Sequence, residues 1–147
     1  TVATMHLLPG STVDNTLDTL SFAVRHRVDE PKATLFLPLP MTAAERVCLE
    51  HGWLRQPLSF SDLPEGFYLQ SLLILPDKVR LLRLYKCSYW MVKFPWLFRF
   101  FVTMTRFPLP FVYDVMLYAG IVWSYKNERV MSWIATFSWF WRFRNSR

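Results

Sequence analysis

The sequence predicts a mainly α-helical protein in two parts: a small helical N-terminal region with short extended segments, then a membrane-associated α-helical half with one transmembrane helix. Three observations carry that expectation. Charge and aromatic content divide sharply along the chain. Capped segments with helical periodicity recur, and residues 107–126, FPLPFVYDVMLYAGIVWSYK, form an apolar run of bilayer length. At 147 residues the chain is the size of one average domain, but its 18% aromatic content is heavy for a domain that size.

Residues 1–85 hold 8 Lys+Arg, 9 Asp+Glu and 7 aromatics, for a net charge of −1. Residues 86–147 hold 9 Lys+Arg, only Asp114 and Glu128 as acids, and 19 aromatics, for a net charge of +7. Cations scattered among Trp, Tyr and Phe suit a membrane interface, where rings sit at headgroup depth and Lys/Arg stems lie along apolar surface. Nucleic-acid binding expects basic clusters on a polar background, and here the background is Leu, Phe, Val and Trp, so nucleic acid is not an expected partner. Cys48 and Cys87 lie too far apart in sequence to suggest a disulfide framework. The start at Thr1 implies either a removed presequence or a trimmed chain, and, with no basic flank before the first apolar residues, no remaining signal peptide is expected.

Ser11 or Thr12 is placed to cap a first helix, whose stripe of Val13, Leu17, Leu20 and Val24 recurs at helical spacing. Asp14 and Asp18 near its start and Arg25 and Arg27 near its end complement the helix dipole, and Glu30-Pro31 ends it. Residues 33–40, ATLFLPLP, are too short and proline-rich for a helix and read as extended. Thr42 and Glu45 form a capping-box pattern for a second helix that runs to His51 and stops at Gly52. Residues 56–66 read as a loop, in which Asp62 and Glu65 are turn residues, and 67–75 is an apolar run of undecided type.

From Asp77 no breaker appears until Pro95, and Val79, Leu82, Tyr85 or Lys86, and Tyr89 recur at helical spacing among Arg80, Arg83 and Lys86. This reads as a basic amphipathic helix approaching a surface. Residues 87–105 are apolar, but Lys93 and Arg99 would each cost about 2.5–3.5 kcal/mol at a bilayer centre, so this segment is expected at the interface. As a helix, 107–125 would be about 28 Å long, with Pro108 and Pro110 in its first turn. Residues 130–141 would make only about 18 Å. The expected organisation is an extramembrane region (1–76), an interfacial helix (77–106), a transmembrane helix (107–126) and a short aromatic helix with a basic tail (127–147).

Two sets of residues are singled out. Asp114 lies inside the expected span, with Tyr118 and Tyr125 on the same helix face, and is read as a polar contact to a neighbouring subunit. Trp90, Lys93, Trp96, Arg99 and Arg106 before the span, and Lys126, Arg129, Arg142 and Arg144 after it, are read as headgroup contacts. Cys48 and His51, with Cys87 or His26, have a spacing too common to indicate a metal site. No phosphate-cradling Gly-rich loop and no Ser, His, Asp frame is present, so neither an enzymatic role nor a cofactor is expected.

The function these features imply is a non-catalytic accessory subunit of a multisubunit energy-converting membrane complex, a respiratory complex or an ATP synthase, in the mitochondrial inner membrane. Its expected partners are the other subunits and anionic membrane lipids. The alternatives are a small transporter relaying protons through Asp114 and a soluble aromatic-rich subunit of a ribonucleoprotein.

Overall fold

Residues 2–6, VATMH, form a strand that the sequence analysis leaves out. In a computed structural model, which describes residues 2–64 and 70–127, this strand, β1 (Val2–His6), pairs in parallel with β2 (Pro31–Leu35), Val2 opposite Pro31 and His6 opposite Leu35. Parallel neighbours cannot be joined by a tight turn. The crossover is α1 (Val13–Arg25), so the first 35 residues are a βαβ unit. Thr12 caps α1 by accepting the Asn15 N–H, as the sequence indicates. The helix ends before Glu30-Pro31, because the Arg27 N–H bonds the Val24 carbonyl and the Val28 N–H that of Ala23, with Arg27 left-handed at φ 48°. Its buried face is Val13, Thr16, Leu20 and Ala23, rotated slightly from the expected stripe.

The second capped helix is α2 (Ala43–Glu50). Thr42 Oγ1 accepts the Glu45 N–H at 3.3 Å, but the Glu45 carboxylate bypasses the Thr42 amide. It accepts instead from Met41 N–H at 2.7 Å and from Leu58 N–H, thirteen residues on. This buried carboxylate therefore ties the loop after α2 to its N-terminus. Gly52 closes the helix at φ 71°, a conformation glycine adopts without strain. Residues 70–75 take neither strand nor helix form, with Ser71, Leu73 and Leu75 buried and Ile74 exposed.

The largest correction within this part concerns α3 (Lys78–Lys93). Rather than lying along an interface, it is the central core helix and packs on α1, on β2 and on α4 (Phe98–Met104). Its buried face is Leu81, Leu84, Tyr85, Cys87, Ser88, Tyr89, Met91 and Val92, so Tyr85 and Tyr89 of the expected stripe are buried while Val79, its head, is 62% exposed. Apolar residues occupy so many of its positions that several stripes fit the helical period, and the sequence does not rank them.

The last described helix is α5 (Pro110–Asn127), which opens at a proline as expected. It is not a membrane span: among the described residues no helix is long and apolar enough to cross a membrane. The run of 107–126 has bilayer length, but its helix starts at Pro110, and Asp114, Lys126 and three tyrosines dilute the remaining apolar residues. The observed architecture is mixed α/β, with five α-helices and a two-stranded sheet among the described residues, not the mainly α membrane-associated fold expected. Placement in a membrane, the mitochondrial inner membrane in particular, and assignment to a respiratory complex or ATP synthase rested on that span and are withdrawn with it. The chain forms two compact units, Thr1–Pro108 and Leu109–Arg147.

Candidate interaction surface

Pro95 sets this surface. A proline disfavours helical geometry in the residue before it, and Phe94 sits at φ −122°, ψ 76° as α3 ends. The chain makes a 3₁₀ turn over Pro95–Leu97 and continues directly as α4. The inner side of α4 is fixed by Phe101 and Thr105, both buried, and the Arg83 guanidinium donates to the Thr105 carbonyl at 3.1 Å. The outer side is left with Trp96 79%, Phe100 59% and Phe107 57% exposed, and Phe94 at 37%. Arg99 and Arg106 are exposed among them. Residues 96, 99, 100 and 103 recur at the spacing of one helix face, so the turn and helix present rings and a cation together.

The remaining residues singled out from the sequence have different roles. Trp90 is half-buried, stacked on Phe94 with ring centroids 5.9 Å apart and edge-on to Tyr89 at 5.3 Å. Lys93 donates to the Asp29 carbonyl at 3.2 Å and pairs with Glu30 at 3.7 Å, tying the end of α3 to the start of β2. The neighbouring Tyr89 hydroxyl is buried without a hydrogen-bond partner, and burial, then the Glu30 charge, push it up to about 12.

In the second unit the buried stripe of α5 is Tyr113, Leu117, Gly120 and Ser124. Asp114, Tyr118 and Tyr125 flank it and are partly exposed. Lys126 is exposed, with its ammonium 5.5 Å from the centre of the Trp123 ring. Arg129, Arg142, Arg144 and the expected short helix at 130–141 lie outside the described residues.

Cys48 and Cys87 are fully buried, and burial raises both thiols, Cys87 to about 12. His51 stacks on Trp53 at 4.8 Å and His26 lies against Phe22 at 4.1 Å. Among the described residues no group of His, Cys, Asp and Glu could hold a metal ion. His6 is a buried ionisable residue that the sequence analysis passes over: it is 3% exposed, and burial lowers its pKa from 6.5 to about 4. Only recognising that β1 pairs with β2 and ends inside the core at His6 would have drawn attention to it. Comparison with known proteins gives no match to a family model, to the sequence of a characterised protein or to a solved structure.

Proposed function

We propose that this chain is a non-catalytic accessory subunit of a larger protein assembly and that the segment from Phe94 to Phe107 supplies its contact. The observation that carries the reading is the exposure of Trp96, Phe100 and Phe107, each more than half open to solvent. Large rings left in water keep the hydrophobic free energy that burial would release, and aromatic residues and Arg are the types that anchor interfaces. The chain's charge of +6 favours an acidic partner surface. A relay of protons through Asp114 requires a helix that crosses the bilayer, and no described helix is long and apolar enough to do so.

The test is the native mass of the protein in extracts of its own cells. The wild-type chain is expected well above its own 17.6 kDa. The Trp96→Ala/Phe100→Ala variant is expected near that mass, with its circular dichroism and thermal midpoint unchanged. A wild-type protein running as a monomer overturns the proposal. The rings interleaved with Arg99 also suit base stacking, so the extract is treated in parallel with ribonuclease. Loss of the assembly on that treatment alone selects the ribonucleoprotein reading instead.

A further inference from the structure

The free edge of β1 is a second surface, separate from the aromatic segment. In a parallel pair each strand turns the backbone groups of alternate residues toward its neighbour. The Val2 N–H bonds the Glu30 carbonyl and the Phe36 N–H bonds the His6 carbonyl, so Val2, Thr4 and His6 face β2. The N–H and C=O groups of Ala3 and Met5 therefore point the other way, where no third strand pairs with them among the described residues. Ala3 is exposed, as are Met5 at 52% and Val2 at 42%.

We infer that two copies of this chain associate through this edge, β1 against β1 and antiparallel, about a two-fold axis at Thr4.

The free backbone groups set the register. With the axis at Thr4, Ala3 of each copy stands opposite Met5 of the other, and these are the residues whose groups point outward. Each such pair exchanges two N–H···O bonds, and the second pair repeats the first by symmetry. The edge alternates partially positive N–H with partially negative C=O, so its charges complement those of the same edge turned end for end. A slip of one residue sets Ala3 and Met5 against residues whose groups are committed to β2. Only the register about Thr4 pairs both residues of both copies with one another.

The side chains agree with it. Ala3 and Met5 share the sheet face opposite that of buried His6. Across the axis the large Met5 meets the small Ala3, twice over, so each copy supplies both halves of the contact. The strand also lacks the devices that blunt an edge, since VATMH holds no Pro, Lys, Asp or Glu. The far edge of β2 is different. Pro31 has no amide hydrogen, Leu35 is buried and α3 packs on the strand. The joined sheet therefore stops at four strands, in the order β2, β1, β1, β2, and growth ends at two copies.

A five-residue strand covers far less than the roughly 800 Å² per partner of a stable dimer, so the association is reversible and micromolar. At the dilution of a cell extract this contact is open, and the native mass read there reports the aromatic segment alone.

Sedimentation equilibrium of the purified full chain, from about 1 µM to about 1 mM, tests the inference. The wild-type mass is expected to rise with concentration from 17.6 kDa toward twice that value. Ala3→Pro removes an N–H that makes no bond within the chain, so circular dichroism should be unchanged while association weakens by at least about tenfold. Met5→Lys keeps every backbone group and adds an edge lysine. It is expected to weaken association about tenfold as well, and it decides the matter if Ala3→Pro fails to fold. Trp96→Ala/Phe100→Ala should leave association within about twofold, because that segment takes no part in it. A monomer throughout, or a mass that climbs past two chains, overturns the inference. So does undiminished association in folded Ala3→Pro or Met5→Lys, or an equal loss in Trp96→Ala/Phe100→Ala.

Discussion

His6 ends β1 with its ring buried 5.7 Å from that of Tyr85 and its Nε2 3.1 Å from Thr4 Oγ1. Desolvation lowers its pKa from 6.5 to about 4, so it is neutral in the folded state near pH 7. The folded value lies below the unfolded one. The stability at stake is complete above about pH 6.5 and is lost as pH falls toward 4, because the unfolded chain then binds a proton that the folded chain excludes. The shift corresponds to about 3 kcal/mol. Urea midpoints measured from pH 7 to 4.5 should fall more steeply for the wild type than for His6→Gln, and parallel slopes would refute the burial argument. Met41 offers a purely backbone test. Its side chain is 92% exposed, yet its φ is 62°. Left-handed geometry costs a non-glycine residue about 1–2 kcal/mol, offset in part by glycine's greater unfolded entropy, so Met41→Gly should stabilise the fold by about 0.5–1 kcal/mol in urea unfolding. Neither residue stands out in the sequence, since one owes its character to a strand and the other to a dihedral angle. Thr12 and Thr42 do stand out, because a cap is decided by neighbours three residues away.

The same distinction between local and distant causes governs the elements. Helices α1 and α2, the stop at Gly52 and the break at Pro95 were all legible, each resting on residues within one turn of the feature. Strand β1 was not, since five residues with no clear alternation become a strand only by pairing with β2, twenty-nine residues further along. The face of α3 was only partly legible for a related reason: Tyr85 and Tyr89 of the expected stripe are buried, but so are Leu81 and Leu84, because α1 and β2 pack on this helix, and no local pattern identifies that side. The two faces give opposite predictions. Leu84, 0% exposed, should cost about 2–5 kcal/mol on truncation to Ala, whereas Val79→Ala, at a 62% exposed position, should stay within about 0.5 kcal/mol. Chemical unfolding of both variants checks this, and the reverse order would restore the face expected from the sequence.

For the whole molecule, composition misled where it was most pronounced. The aromatic and cationic excess after residue 85 is real, but α3 and α4 show what part of it does in the first unit. Tyr89 and Phe101 belong to a protein core, and Trp96, Phe100 and Phe107 remain outside it. A bilayer and a protein interior reward the same residues, so composition alone does not distinguish them; the length and polarity of the actual helix do. The packing that joins β1 to β2, α1 to α3, α3 to β2 and α3 to α4 lies entirely inside Thr1–Pro108. So do the core residues Leu7, Leu20, Leu35, Leu73, Leu81 and Leu84. A unit with its own sheet, crossover helix and core has what independent folding requires. A chain ending at Pro108 should therefore keep its helical circular dichroism and unfold in urea in one cooperative transition. In that shortened chain Leu84→Ala should still destabilise by about 2–5 kcal/mol. A broad, non-cooperative transition would show that the first unit depends on residues beyond 108 and that the division of the chain does not mark a folding boundary.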